Sequence, residues 1–357
     1  ARVRNPIYYR QMELLKEDLR LSLTVNPEFA AANEISRILL FPEANKVETF
    51  MKGRVELVEY PVDENNPLAG LSLAEIYRKF QIKFLVCAVK RGHDIFIPDG
   101  AFVLNTGDRL HIAAAHHNLK SFFKSLGRKN SKVKKVIICG GGHVCYYLAK
   151  QLLQVGMQVK IIERNEQRCE ELCELLPKAT IINGNATDQE LLMEEGLADA
   201  HAFVALTGMD EENIIISLFA KTQNVPKIIA KVNQDTRAQM VEGMGIDSIV
   251  SAKSAAADEI LGYVRARMNS YSSADVETMY RLLNGRVEAL EFIIKKECEY
   301  TNIPLKNLRT KKNHLIACIG RKREIIIPNG DSHLEVGDSV IIVTKENIVS
   351  NFRDILA

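Results

Sequence analysis

The chain has 357 residues, of which 46% are hydrophobic and 26% are charged, a composition typical of globular proteins and a length sufficient for two to four domains. Its 47 basic and 45 acidic residues leave a formal net charge of +2, which argues against a nucleic-acid binder that works through a large basic face. No apolar stretch approaches the roughly 18 residues that a membrane-spanning helix needs, and no signal peptide precedes the first polar residues. These features indicate a soluble, cytoplasmic protein.

The seven cysteines are an odd number without C-x-x-C spacing, so they predict neither a disulfide framework nor a zinc module. Cys169 and Cys173 lie four residues apart and could share a helix face, but no nearby histidine or second cysteine pair completes a metal set. We expect reduced thiols packed as small apolar groups, and no metal site.

The chain opens at Ala1, without a methionine, and several of its segments occur twice in the same order. This pattern predicts an internal duplication in which residues 1–127 correspond to residues 230–357. Residues 133–229 then have no partner, so the first copy is expected to have lost its beginning. The matching segments are Ala1–Val3 and Ala230–Val232, Ala30–Ile35 and Ala255–Ile260, Gly53–Glu56 and Gly285–Glu288, Ile97–Gly100 and Ile327–Gly330, and Gly107-Asp108 and Gly337-Asp338.

Two small α+β modules are predicted, the first over residues 47–126 and its copy from residue 276 onward. In both, strands surround short turns, and the Asn329-Gly330 and Gly337-Asp338 turns are expected to need a positive φ. His116-His117 is expected to begin a helix after the strand at 109–113, and the basic stretch 128–135 to be a solvated linker. The strands predicted in the second copy are Arg286–Ile294, Leu315–Gly320, Glu324–Ile327 and Ser339–Val343.

Between the modules, short apolar strands alternate with helices. This alternation requires right-handed crossovers and a doubly wound parallel sheet, the Rossmann-like fold of dinucleotide-binding domains. Val144, Leu148, Leu152 and Val155 are expected on the buried face of its first helix. The long helix Ala255–Met268 and a polar joint at residues 270–275 follow. The other predicted elements are Val136–Cys139, Gln158–Glu163, Gln167–Leu176, Ala179–Ile182, His201–Leu206, Glu212–Gln223 and Lys227–Val232.

A glycine-rich turn follows the first strand of this domain. Gly140 permits the tight turn, and Gly142, after Gly141, lets backbone N–H groups approach a pyrophosphate at the helix N-terminus. Cys145 replaces the third glycine of G-x-G-x-x-G, and its small thiol is expected to fit. Glu163, 23 residues after Gly140, is placed to accept hydrogen bonds from a ribose diol. The pattern predicts a site for NAD(H) or another adenosine without a 2′-phosphate; an empty, degenerate fold is the alternative.

Other residues fall at the same predicted edge. Leu206 and Thr207 end the fourth strand, where ligands sit in open α/β sheets. Lys231 and its counterpart Arg2 could place a cation near phosphates, or could face the surface. Two loop residues could touch the base or cap the helix that starts near Asp188: Asn185 and Thr187.

Catalysis is the less favoured interpretation. A dehydrogenase needs an acid/base group and a carbonyl-orienting cation near the nicotinamide. His143, in the phosphate loop, is expected to face solvent rather than to act in catalysis. The histidines of the small modules form no coherent catalytic set: His93, His111, His116, His117, His314 and His333.

Several of these segments together resemble the RCK N-terminal (TrkA-N) domain. The Gly-Asp-centred modules resemble its RCK C-terminal (TrkA-C) partner, and a tandem of two such pairs is the layout of the TrkA-type subunits of bacterial Trk potassium uptake systems. Ala1–Pro6 resembles the last strand of a first RCK N-terminal domain, which fits an N-terminally truncated chain. The segments that carry the first resemblance are Ile138–Val144, Glu163, Gly184–Asp188, Ala205–Thr207 with Glu211–Asn213, and Ala230–Val232.

The resemblance implies five regions. Residues 1–44 would be the C-terminal remnant of a first RCK N-terminal domain, and residues 45–127 the first RCK C-terminal domain. A linker at 128–134 would lead to the second RCK N-terminal domain at 135–270, and residues 271–357 would be the second RCK C-terminal domain. The first nucleotide site would lack its glycine loop, retain only Arg2, and be inactive.

The family further implies a non-enzymatic, cytosolic regulatory subunit that binds NAD(H) or ATP/ADP. It would assemble as a homo-oligomer, a tetrameric ring, on a membrane potassium-translocating subunit of the TrkH/TrkG kind, at the inner face of the plasma membrane. By matching position, Gly140–Val144 would hold the pyrophosphate and Glu163 the ribose. Leu206 and Thr207 would line the crevice, and Lys231 would supply the cation. Cys145 and Asn185 differ from the family's usual glycine and aspartate.

Two alternatives from other classes remain. A nicotinamide-dependent oxidoreductase would transfer hydride to a substrate. A sensor of another small ligand would bind it in the small modules, independently of Glu163.

Overall fold

The computed structural model describes residues 1–4, 8, 11–12, 18–51, 53–127, 132–234, 244–271, 276–322, 324–345, 349 and 351–357. The chain forms two compact units, and each takes residues from both halves of the sequence. Unit 1 comprises Ala1–Pro42 and Ser131–Ile260, and unit 2 comprises Glu43–Asn130 and Leu261–Ala357. Within the described ranges, no helix combines the length and apolar character needed to cross a membrane.

The elements are labelled in chain order. The helices are α1 (Pro27–Leu40), α2 (Leu73–Phe80), α3 (His116–Ser125), α4 (His143–Gln154), α5 (Glu166–Leu175), α6 (Gln189–Glu194), α7 (Asp210–Thr222) and α8 (Ala252–Tyr271). The strands are β1 (Lys46–Phe50), β2 (Val55–Pro61), β3 (Leu85–Arg91), β4 (Asp94–Phe96), β5 (Arg109–Ala115), β6 (Lys135–Cys139), β7 (Gln158–Glu163), β8 (Thr180–Asn183), β9 (Ala202–Ala205), β10 (Ile228–Lys231), β11 (Ser248–Val250), β12 (Val276–Leu282), β13 (Val287–Ile293), β14 (His314–Arg321), β15 (Glu324–Ile326) and β16 (Ser339–Thr344).

Unit 1 is built on a six-stranded sheet of order β11-β10-β9-β6-β7-β8, and every pairing in it is parallel. The apolar run of β6 is buried on both faces, as a central parallel strand requires. Val136 and Ile138 pack with α1 and α4 on one face, while Ile137 and Cys139 pack with α7 on the other. The predicted Rossmann-like, doubly wound sheet is confirmed.

Helix α4 follows the glycine turn and lies against the sheet. Val144, Leu148 and Leu152 are buried as predicted, but Val155 is 56% exposed. The prediction for Val155 was wrong: the residue is the C-cap of the helix, and its side chain lies beyond the part of α4 that the core covers.

Helix α1 belongs to the first copy of the repeat, yet it packs against α4 of the second. The Asn26 side chain donates from Nδ2 to the Tyr147 hydroxyl at 2.9 Å, and Gln151 Nε2 donates to Asn33 Oδ1 at 2.7 Å. Phe29 meets the Tyr147 ring edge-to-face, with ring centroids 5.2 Å apart. Unit 1 is therefore completed by a helix from the other half of the sequence.

Unit 2 contains two five-stranded sheets with the same strand order. The first is β1-β2-β5-β3-β4 and the second is β12-β13-β16-β14-β15, with antiparallel pairing in both. The predicted duplication therefore extends to topology, and the predicted strands of the second copy agree with β13 to β16 within about two residues. The predicted start of α3 at His116 is also confirmed.

The two modules of unit 2 share one hydrophobic cluster, which we call the shared core. It mixes buried side chains from both copies, so neither module has an independent interior on this side. Its members are Phe50, Met51, Val55, Leu57, Cys87, Ile95 and Ala113 from the first copy and Leu282, Val287, Ala289, Ala317, Cys318, Ile341 and Val343 from the second.

In each module, the aspartate of the repeated Gly-Asp turn is buried and pairs with an arginine, Asp108 with Arg91 and Asp338 with Arg321. Gly107 has φ +87° and Gly337 has φ +93°, so the predicted positive φ is confirmed there. The prediction was wrong for Asn329-Gly330, because neither residue has a positive φ. Gly330 instead allows a close approach: a Cβ there would lie 3.2 Å from Cβ of Lys306, whose N–H donates to the Gly330 carbonyl at 2.8 Å.

The connections between domains are described only in part. The predicted linker lies partly outside the described residues, since 128–131 are not described, and so does most of the joint at 270–275. Its first residue, Ser270, lies inside α8 rather than in a joint. All seven cysteines are free; on α5, Cys169 is buried and Cys173 is exposed.

Candidate functional site at the carboxyl edge of the parallel sheet

The glycine turn after β6 has a backbone that only glycine can adopt at its first position. Gly140 has φ +102°, and a Cβ added there would lie 2.8 Å from the backbone carbon and oxygen of Leu206. Its N–H donates to the Ile162 carbonyl at 2.8 Å, while the Leu206 N–H donates to Cys139 O at 2.7 Å. The turn is thus tied to the ends of the neighbouring strands β7 and β9.

Glu163, at the end of β7, faces this turn. Its Oε2 accepts from the Gly141 N–H at 2.6 Å and its Oε1 accepts from the Asn165 N–H at 2.8 Å. A carboxylate has about four acceptor positions. Two backbone donors therefore orient the group and leave about two positions for further donors, which is the number that a ribose diol supplies.

Helix α4 begins directly beyond the turn. Gly142 is its N-cap, with φ −69°, and a Cβ added there would meet nothing within 4 Å. The N–H groups of the first helical turn have no partner within the helix and suit an anion. His143 is exposed beside them, whereas the Val144 side chain is buried in the core, so only the backbone of Val144 can serve the site.

Cys145 occupies the position of the third glycine. Its side chain is fully buried in the core cluster between α4 and the sheet. The thiol therefore packs where the sequence predicted that a small side chain would fit, and burial raises its pKa.

Lys231, at the end of β10, closes the other side of the edge. Its Nζ donates to the Leu206 carbonyl at 3.3 Å. Burial lowers the pKa of Lys231, and the nearby carboxylates of Asp210 and Glu28 oppose that shift. Lys231 is thus a partly desolvated cation at the crevice rather than a surface residue.

Asn213 joins the ends of β9 and β10. Its Oδ1 accepts from the Thr207 N–H at 2.8 Å, and its Nδ2 donates to the Lys231 carbonyl at 2.9 Å. Asn213 is fully buried. It fixes the backbone of Thr207 at the end of β9. The nine predicted site residues all lie along this edge of the sheet.

The loop after β8 uses its polar side chains internally. Asn185 Oδ1 accepts from the Thr187 N–H at 3.1 Å, and Asp188 caps α6 by accepting from Glu190 and Leu191. Asp188 is thus the N-cap of α6, and neither Asn185 nor Thr187 caps the helix; their contact with a base stays a prediction.

Sequence reasoning missed residues of the first copy that lie near the site. Glu28, in the first turn of α1, pairs with Arg4 and lies 4.0 Å from an Arg2 nitrogen. The charges of Glu28 and Arg4 act on the pKa values of both His143 and Lys231. Nothing in the local pattern predicts this placement, because it depends on α1 packing against α4.

Arg168 was also missed. Its Nε donates to the Gly141 carbonyl at 2.7 Å, and its Nη1 lies 2.6 Å from Glu171 Oε2. One signal was available: the helix that follows Glu163 must begin at the carboxyl edge of the parallel sheet, which is where the glycine turn also lies. Within the described residues, no group of three or more His, Cys, Asp or Glu side chains is arranged to hold a metal ion.

The parallel sheet, its glycine turn and the facing carboxylate place unit 1 in the class of Rossmann-like nucleotide-binding domains. Residues 136–252 match the TrkA-N domain family, and residues 57–127 and 289–357 match the TrkA-C domain family. A Trk system potassium uptake protein TrkA homolog of Methanosarcina mazei is 30% identical over 351 residues, covering 98% of this chain and 76% of that protein. The chain belongs to the TrkA family.

Other relatives agree with this assignment. The Trk system potassium uptake protein TrkA of Haemophilus influenzae is 29% identical over 352 residues, covering 97% of this chain and 75% of that protein. The GsuK RCK domain has a TM-score of 0.57 at 18% identity, covering 96% of this chain and 71% of its own. The GsuK channel bound to NAD gives the same TM-score and identity and covers 96% of this chain and 59% of its own. At that identity the two structures show a common fold.

Proposed function

We propose that this chain is a nucleotide-binding regulatory subunit that controls a potassium uptake channel or transporter. The potassium link comes from the TrkA relatives, which are named as potassium uptake proteins. The partner would be a membrane subunit of the TrkH/TrkG kind, with this chain acting at the inner face of the plasma membrane. NAD(H) and ATP/ADP are the candidate ligands; the NAD bound to the GsuK channel supports the first of them.

The observation that carries the proposal is the fixed carboxylate of Glu163. It is held by two backbone N–H groups, keeps about two acceptor positions for a ribose diol, and lies beside the glycine turn. In the proposed complex, the backbone of Gly140–Val144 with His143 holds the pyrophosphate and Lys231 supplies a cation. Leu206 and Thr207 line the crevice.

The proposed mechanism is a population shift. A nucleotide that binds two conformations with unequal affinity moves their equilibrium by at most that difference in affinity. A homo-oligomer, in our proposal a tetrameric ring, would pass the change to the membrane subunit. The outer face of α7 supports contact between copies, because Ile215 is 63% exposed, Met209 just before the helix is 51% exposed, and Leu218 is half-buried.

An oxidoreductase is disfavoured by where the histidines lie. His111 and His314 are buried in strands of unit 2, His116 pairs with Glu56, and His333 pairs with Glu335. In each of these pairs, the histidine and its carboxylate partner belong to the same module. A dehydrogenase would instead need such groups to converge on the nicotinamide.

The first test is calorimetric titration of the whole chain with NADH, NAD⁺, ATP and ADP. We expect saturable binding with unequal affinities, and a loss of at least tenfold in affinity for Glu163→Ala. The matched control is Glu174→Ala, which removes an exposed carboxylate near the C-terminal end of α5, away from the glycine turn, and should change nothing. Gly142→Ala should weaken binding with only a small fall in melting temperature, because its Cβ enters open space in front of the helix while alanine is a poorer N-cap than glycine.

Each rival function has its own outcome in the same experiment. Binding that survives Glu163→Ala would favour a sensor site in the small modules. Consumption of NADH in the presence of a carbonyl substrate would favour an oxidoreductase. Absence of binding to all four nucleotides would contradict the proposal.

A further inference from the structure

Arg168 lies at this edge and has no role in the proposed function. It lies in the first turn of α5, and its side chain is only 23% exposed. Both ends of the guanidinium are engaged, one by the Gly141 carbonyl at 2.7 Å and the other by Glu171 at 2.6 Å. A solvated surface arginine would be held at neither end.

Gly141 is consequently held at both of its backbone polar groups. Glu163 accepts from its N–H at 2.6 Å, and Arg168 donates to its carbonyl. Glycine adopts a wider range of φ and ψ than other residues, so a glycine turn has no fixed shape of its own. These two side chains supply the constraint that the backbone lacks.

The hydrogen bond from Arg168 to the Gly141 carbonyl also fixes the direction of the Gly142 N–H group. In a trans peptide, the N–H points opposite to the carbonyl of the same peptide. With the Gly141 carbonyl directed at Arg168, the Gly142 N–H must point away from α5. Arg168 therefore governs the shape of the turn on its phosphate side, while Gly141 in turn anchors Oε2 of Glu163 on the ribose side.

We propose that Arg168 is a positioning residue that holds Gly141 against Glu163 and so sets recognition of the ribose 2′-hydroxyl. The inference rests on the proposed nucleotide site and deepens it. Loss of Arg168 frees the Gly141 peptides, and the Glu163 carboxylate then loses a fixed orientation. Selectivity for the hydroxyl should fall, not merely the overall affinity.

The test compares ADP with 2′-deoxy-ADP as calorimetric ligands of the whole chain. One hydrogen bond to a charged group is worth about 1.5 kcal/mol or more, so the unmodified chain should prefer ADP by about tenfold. Arg168→Gln should reduce that preference to about twofold or less. A merely structural loss, or loss of a cation near the phosphates, would weaken both ligands equally and leave the preference intact.

Two further variants complete the design. Arg164→Gln removes the same charge from an exposed residue next to Glu163 and should keep the full preference. Glu171→Ala removes the partner of the outer end of Arg168 at an exposed position, so it tests the idea even where Arg168→Gln fails to fold. We expect it to lower the preference about twofold to threefold.

The outcomes separate this inference from the proposed function. If the unmodified chain binds neither ADP nor 2′-deoxy-ADP, nor the other nucleotides, the proposed function itself fails. If it binds both ligands equally, or if Arg168→Gln keeps the preference, the site stands and the role of Arg168 is overturned.

Discussion

His143 begins helix α4 inside the glycine turn, and its charge state bears directly on an anionic ligand. Burial lowers the pKa of its imidazole, and the Arg168 charge on α5 lowers it further. From the first copy, Glu28 raises this pKa and Arg4 lowers it. The side chain is therefore neutral at neutral pH in the free protein. Phosphates bound at the helix N-terminus would raise its pKa, because an anion favours the charged imidazole.

Nucleotide binding should therefore take up protons and strengthen as pH falls from neutral toward the lowered pKa of free His143. We expect ADP affinity to rise a few-fold over that interval. The measurement is calorimetric titration in two buffers of different ionisation enthalpy, with His143→Gln as the control. ADP's own titration is common to both proteins, so equal proton uptake by the two would contradict the prediction.

At this scale, the sequence predicted those site residues whose position depends on neighbours along the chain. Gly140, Gly142 and Glu163 follow from a strand, a turn and a helix in succession, and the structure brings them together. Their contact with a nucleotide stays a prediction. Arg4 and Glu28 could not be predicted, because no periodicity states which helix α1 will pack against.

The repeated ion pair of unit 2 is the clearest feature at the scale of elements. In the second module, Arg321 donates from Nε and Nη2 to both oxygens of Asp338, at 2.9 and 2.8 Å, and Asp338 is 1% exposed. Arg91 and Asp108 repeat this arrangement in the first module. Each pair joins the end of one strand, β3 or β14, to the turn before its neighbour in the sheet, β5 or β16.

Arg321→Met should lower the free energy of unfolding by about 3 kcal/mol, because it leaves a buried carboxylate without its counter-charge. The control in the same module is Lys306→Met, which breaks an ion pair to Asp331 whose side chains are 60% and 79% exposed. Its cost should stay below about 1 kcal/mol. Urea denaturation compares the two, and similar midpoints would contradict this account.

Strands in unit 2 were predicted well because Gly-Asp turns and apolar runs mark them locally. The role of Asn329-Gly330 was predicted wrongly, because a glycine in such a dipeptide can be needed either for a positive φ or for the close approach of another segment. Lys306, which makes that approach, lies more than twenty residues earlier in the sequence. Its proximity depends on tertiary packing that the dipeptide does not encode.

At the scale of the whole molecule, the shared core couples the two small modules. Phe50 is 1% exposed and belongs to this cluster. Phe352 is fully buried in a different cluster, whose members all come from residues 261–356. Truncation of either phenylalanine therefore makes a comparable cavity, one in the shared core and the other in a cluster confined to the second copy.

Phe50→Ala should cost about 3–5 kcal/mol and reduce amide hydrogen-exchange protection in both sheets, in β5 as well as β16. Phe352→Ala should reduce protection in the second sheet and leave β5 unchanged. If Phe50→Ala affected the first sheet alone, the modules would be energetically separate despite their common cluster.

The packing of α1 against α4 also has a consequence for the chain during its synthesis. The apolar face of α1, with Ala31, Ile35, Ile38 and Leu39 in the core, needs a helix that begins only at His143. Roughly a hundred residues separate them, and at about 5–20 residues per second a ribosome takes about 5–20 s to add these. For that interval the nascent helix lacks the α4 face against which these side chains pack in the folded unit. Folding of unit 1 therefore waits on translation of the second copy, and the duplicated order of the sequence sets the length of the wait.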